Sequence, residues 1–159
     1  MSKKLLFYIA IYGYLRITYA SIDRLPVLKN GDLVFQTIKS SQTLAIMLAS
    51  KSPYTHVSII KLDLENNPYV VEAVGPVREV ALEDWIEQGV AGRITVMRFK
   101  ETGVDKIEAS LLKAEEYYGR PYDFFFLFDK DRIYCSELVY YAFRKALALI
   151  WGRFKRSRI

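Results

Sequence analysis

Residues 133–147 read Ile133-Tyr134-Cys135-Ser136-Glu137-Leu138-Val139-Tyr140-Tyr141-Ala142-Phe143-Arg144-Lys145-Ala146-Leu147. Cys135, Leu138, Val139, Ala142, Phe143, Ala146 and Leu147 recur at i, i+3, i+4, i+7, i+8, i+11 and i+12, which is one face of an α-helix. The single cysteine of the chain therefore heads the apolar face of its clearest helix. Unpaired backbone N–H groups and the positive end of the helix dipole surround a thiol placed there, and both favour thiolate over thiol. The same N–H groups, that of Cys135 included, can stabilise an oxyanion on an attacked carbonyl. Simple burial as the first core residue of the helix is the competing explanation of a lone free cysteine.

Working outward, the chain before this helix alternates short strands with helices. Asn30-Gly31-Asp32 is a turn opening a strand at Leu33 to Gln36, and residues 41–50 form a helix ended by Ser52-Pro53. His56 to Leu62 and Tyr69 to Val74, rich in Val, Ile and Tyr, form an antiparallel hairpin around Asp63-Leu64-Glu65-Asn66-Asn67-Pro68. A short helix over 82–88 stopped by Gly89, a strand from Arg93 to Lys100 and a helix from Val104 to Tyr118 follow. The pattern predicts one α+β domain, an antiparallel sheet packed against helices. The aromatic run Phe124 to Phe128 reads as core, with an acyl pocket as its functional alternative.

The only histidine, His56, heads the first strand of that hairpin. Thiol chemistry needs an imidazole beside the helix N-terminus, and the sequence supplies one of each. Glu72 is an acid inside an otherwise apolar strand, either orienting His56 or facing solvent. An odd number of connecting residues puts the two on one face of the hairpin, an even number on opposite faces. Pairing Leu62 with Asn66 leaves a three-residue turn and sets His56 directly opposite Glu72.

Composition narrows the remaining classes. One cysteine excludes an internal disulfide framework, and with one histidine it cannot build a four-ligand structural zinc site. The net charge of +5 sits at the ends: Lys3, Lys4 and Arg16 before residue 20, and Arg153, Lys155, Arg156 and Arg158 after 151. A basic surface for nucleic acid is not expected; a solvated tail or anionic lipid accounts for the termini. Lys3-Lys4, the apolar run Leu5 to Leu15, and Thr18-Tyr19-Ala20 have the layout of a signal peptide or N-terminal anchor, against an ordinary first helix. The expected organisation is 1–20 leader or anchor, 21–150 catalytic domain and 151–159 basic tail. Localisation is then periplasmic or secreted, or cytoplasmic if residues 1–20 belong to the fold.

Five stretches in order are Gly31-Asp32-Leu33-Val34-Phe35, Thr55-His56-Val57-Ser58-Ile59-Ile60, Val71-Glu72-Ala73, Gly119-Arg120-Pro121-Tyr122-Asp123 and Tyr134-Cys135-Ser136-Glu137-Leu138-Val139. They resemble the permuted papain-like amidases of the YiiX/YaeF type, in which the histidine strand precedes the cysteine helix. The resemblance implies a circularly permuted papain-like (NlpC-like) fold with Cys135 as nucleophile, His56 as base and acid, and Glu72 as the histidine's orienting partner. It gives Tyr122, and with it Ser136, a place at the substrate or oxyanion. The implied activity is amidase or peptidase-like hydrolysis through a thioacyl-enzyme, without cofactor or metal, on a cell-wall peptide or a lipid-linked acyl group. An acceptor other than water would make the same site an acyltransferase. A non-catalytic membrane-surface binding protein on this fold is the reading from another class.

Overall fold

The computed structural model describes residues 15–19, 25–99, 102–127 and 131–144. Its centre is a six-stranded antiparallel sheet of β1 (Leu15–Tyr19), β2 (Leu33–Ile38), β3 (His56–Leu62), β4 (Pro68–Glu72), β5 (Arg78–Ala81) and β6 (Gly89–Arg98), in the order β1-β6-β2-β3-β4-β5. Among the described residues four helices accompany it: α1 (Thr43–Ser50), α2 (Leu82–Glu87), α3 (Val104–Glu115) and α4, residues 135–144. Among the described residues no helix is long and apolar enough to cross a membrane.

Strand parity sorts the core into two layers. Leu33, Phe35, Val57, Ile59, Val71 and Met97 face Leu111 and Ala114 of α3 and Leu138, Val139, Ala142 and Phe143 of α4. Val34, Ile60, Val70, Ile94 and Val96 face Leu82, Trp85 and Ile86 of α2. The periodic face read in 133–147 is therefore a packing face as far as the structure describes it. Ala146, Leu147, Phe128, the basic tail and the leader residues 1–14 and 20 lie outside the described residues.

Three expectations change. Residues 15–19 are strand, where the alternative to a leader was a helix, and they pair antiparallel with β6 from Leu15↔Arg98 to Tyr19↔Ile94. The four-residue β5 and the first turns of β6 have too little alternation to be seen as strands. Gly89, expected only to stop a helix, starts β6. A Cβ there would lie 2.2 Å from Gln36 Oε1, so any other residue would have to displace the buried Gln36 side chain. Finally, the aromatic run is not core. Phe124, Phe125 and Leu127 are more than half exposed, because the chain leaves the core at the buried Asp123.

Candidate active site

The β3–β4 hairpin sets out the first two groups. Ile59 pairs with Val71 and Leu62 with Pro68, so the connection holds five residues instead of three. Asp63 closes it by accepting N–H bonds from Glu65 (2.9 Å) and Asn67 (2.8 Å). Odd parity is kept, so His56 and Glu72 share a face. The register is shifted, however: extending it sets Glu72 opposite Ser58, two residues beyond His56. Glu72 therefore reaches the imidazole diagonally, Oε2 to Nε2 at 3.4 Å, and Ser58 Oγ meets the same nitrogen at 3.0 Å. The other carboxylate oxygen, Oε1, accepts from Nε and Nη2 of Arg78, both at 3.1 Å, and Arg78 is the register partner of Glu72 on β5. His56 is 3% exposed and Glu72 fully buried, so their contact stands out of water, while the Arg78 side chain at its far end is 53% exposed.

The sulfur arrives from the other layer. Ile60 of β3 donates its N–H to Asp32 on the β2 side, so the N–H of Val57 points the other way, toward β4. β4 stops at Glu72, one residue short of pairing with Val57. Cys135, at the first turn of α4, fills that place: its sulfur takes the Val57 N–H, the Ser136 N–H and a hydrogen bond with His56.

Burial alone would raise the thiol pKa, but the hydrogen bond and charge of His56 and the two N–H groups bring it below its ordinary value of 9.0. Burial likewise pulls the imidazole down, and Cys135 and then Glu72 outweigh it, raising His56 from 6.5 to about 9. Both directions favour a thiolate–imidazolium pair at neutral pH.

Tyr122 lies above the sulfur. Its loop is clamped to the segment before α4 by Ile133 N–H to Pro121 O at 3.0 Å and Asp123 N–H to Ile133 O at 3.2 Å. The phenol donates to Cys135, and burial together with the sulfur's charge pushes its pKa far above the ordinary range, so it stays a donor. Ser136 is present through its backbone N–H. Glu137 is buried on the same turn, and burial raises its carboxyl pKa above the ordinary value.

All the residues read from sequence are thus brought together, Glu72 in a different register from the expected one. Ser58 and Arg78 were missed. Ser58 carried a signal, since it stands two residues from His56 on the same face; Arg78 did not, because β5 itself was unseen.

A thiol at the head of a helix, facing a strand histidine that comes earlier in the chain, is the papain-like arrangement in permuted order. The chain belongs to the permuted papain-like amidase family of YaeF and YiiX, C92, whose model matches residues 27–156. It is 38% identical over 125 residues to the uncharacterized protein YiiX of Escherichia coli K12, covering 78% of this chain and 61% of that one. The chain thus spans about three-fifths of that relative's length. A crystal structure described as metalloprotein yiiX from Escherichia coli O157:H7 superposes with a TM-score of 0.71 at 40% identity, over 76% of this chain and 67% of that one. Among the described residues of this chain no group of three or more His, Cys, Asp or Glu side chains is placed to hold a metal ion.

Proposed function

We propose that this protein is a cysteine hydrolase of amides or esters, with Cys135 as nucleophile, His56 as proton carrier and Glu72 as the residue that orients and charges the imidazole. The observation that carries the reading is the pair itself. A buried thiol whose pKa is lowered and a buried imidazole raised to about 9 are each other's partners.

The thiolate adds to the substrate carbonyl, and negative charge moves to the oxygen. Donors at the first turn of α4 and the Tyr122 hydroxyl are placed to receive it. The His56 imidazolium gives its proton to the departing amine or alcohol, leaving a thioacyl-enzyme. Neutral His56 then takes a proton from water, the hydroxide releases the acid, and the ion pair is restored. Glu72, held by Arg78 through its other oxygen, keeps the ring in one orientation throughout. The substrate class is a peptide-like or lipid-linked amide or ester. Localisation is proposed as periplasmic or secreted if residues 1–20 act as leader or anchor, and as cytoplasmic if they stay with the fold, which the pairing of β1 with β6 favours.

The test is alkylation of native protein by iodoacetamide from pH 5 to 10, followed by mass spectrometry of the Cys135 peptide. The expected result is reaction well below pH 8 that His56→Ala suppresses. A thiol inert below pH 8, or turnover of an activated ester that survives Cys135→Ala, would overturn the proposal.

A further inference from the structure

Helix α1 is apolar on both sides, with Ile46 and Met47 on the half-buried side and leucines and alanines on the outside. Leu44, Ala45, Leu48 and Ala49 recur at i, i+1, i+4 and i+5, and these are its exposed positions, with Leu44 at 68% and Leu48 at 70%. None of its residues is buried. A helix facing water would carry polar residues on that exposed side. Alongside stands the loop Phe124 to Leu127, where Phe125 is 74% and Leu127 62% exposed. Gln42 at the N-terminus of α1 ties the two together, its side-chain amide donating to the Phe124 carbonyl at 3.1 Å. The surface runs on to the sulfur: the Tyr122 ring meets Phe124 and Phe126 edge-on at 5.0 and 6.4 Å, and its hydroxyl is on Cys135.

Charge identifies the occupant. From Leu33 to Leu62 the sequence contains no Asp or Glu, while Lys39 and Lys51, both exposed, flank α1. The apolar side chains project from the neighbouring loop and from a helix face with basic residues at its flanks, and a bilayer with anionic headgroups matches that order of chemistry. We infer that α1 and the Phe124–Leu127 loop seat the protein on an anionic bilayer. The apolar side chains enter the headgroup–acyl boundary, Lys39 and Lys51 meet phosphates, and the Cys135 site opens toward the lipid. This inference concerns where the protein sits and does not depend on Cys135 being a nucleophile.

The full chain should sediment with vesicles of phosphatidylglycerol and phosphatidylcholine in equal parts, and much less with phosphatidylcholine alone. Leu44→Ser with Leu48→Ser, and separately Phe125→Ser, should weaken partitioning about tenfold or more. Lys39→Glu with Lys51→Glu should do the same without touching the apolar face, which guards against a serine variant that folds poorly. Cys135→Ser should bind as the parent does, separating failure here from failure of the catalytic reading. The inference is overturned if the parent does not bind. It is equally overturned if both the apolar and the lysine variants bind unchanged, which would give lipid affinity to the termini. A dimeric parent made monomeric by Leu44→Ser with Leu48→Ser would assign the face to a second copy and overturn it too.

Discussion

At the scale of single residues, the site depends on which neighbour touches which atom. Glu72 contributes charge at Nε2, so Glu72→Gln should keep the shape and lose much of what holds His56 near 9. The basic limb of the kcat/KM profile against pH should move down from about 9 toward the ordinary 6.5, and an unmoved limb would remove Glu72 from that role. Tyr122 separates attack from alkylation. If its hydroxyl stabilises the oxyanion, Tyr122→Phe should lower kcat on an activated ester by about a hundredfold. Cys135 alkylation, which builds no oxyanion, should change far less. Cys135 and His56 were legible because each type occurs once and each heads a regular element. Ser58 and Arg78 were not, because their contacts exist only once the register of three strands is known.

At the scale of elements, the β3–β4 hairpin separates what sequence carries from what it does not. Parity survives any odd connection, so the shared face of His56 and Glu72 was readable; the two-residue shift was not, because it lies in how Asp63 folds its own turn. Deleting one residue from 63–67 makes the connection even and turns Glu72 to the far face. That deletion should abolish low-pH alkylation of Cys135 while leaving a folded sheet by circular dichroism; retained reactivity would show that the strand re-registers. Helix α4 presents the complementary case, since its apolar spacing was plain and its packing follows it. Leu138 is 1% exposed among Cys135, Val139 and Ala142, and Leu138→Ala should cost about 2–5 kcal/mol in denaturant unfolding. The Phe124 to Phe128 run was misread for a related reason: apolar composition marks burial only where an element directs the side chains inward, and this loop directs Phe124 to Leu127 outward.

For the whole molecule, the ion pair has a consequence for stability that neither partner has alone. His56 is raised to about 9, so taken singly its contribution is fully present below pH 6.5 and lost as pH rises through 9. Cys135 is lowered, so its contribution is present above pH 9.0 and lost as pH falls through its folded value. The two senses oppose each other, and the proton count shows by how much. The proposed ion pair predicts that between pH 6.5 and 9.0 both chains carry one proton on it, as thiol with neutral imidazole in the unfolded chain and as thiolate with imidazolium in the folded one. Unfolding therefore exchanges no proton at the pair, and its share of stability is flat across this range. Below pH 6.5 the unfolded imidazole gains a second proton, and down to the folded pKa of Cys135 stability falls as pH falls. The measurement is the difference in unfolding free energy between the parent and the Cys135→Ala/His56→Ala double variant, from pH 5 to 9 at constant ionic strength. That difference should be level above pH 6.5 and decline below it. A slope of about 1.4 kcal/mol per pH unit within the neutral range would mean that one partner is charged without the other, and the ion pair would have to be abandoned.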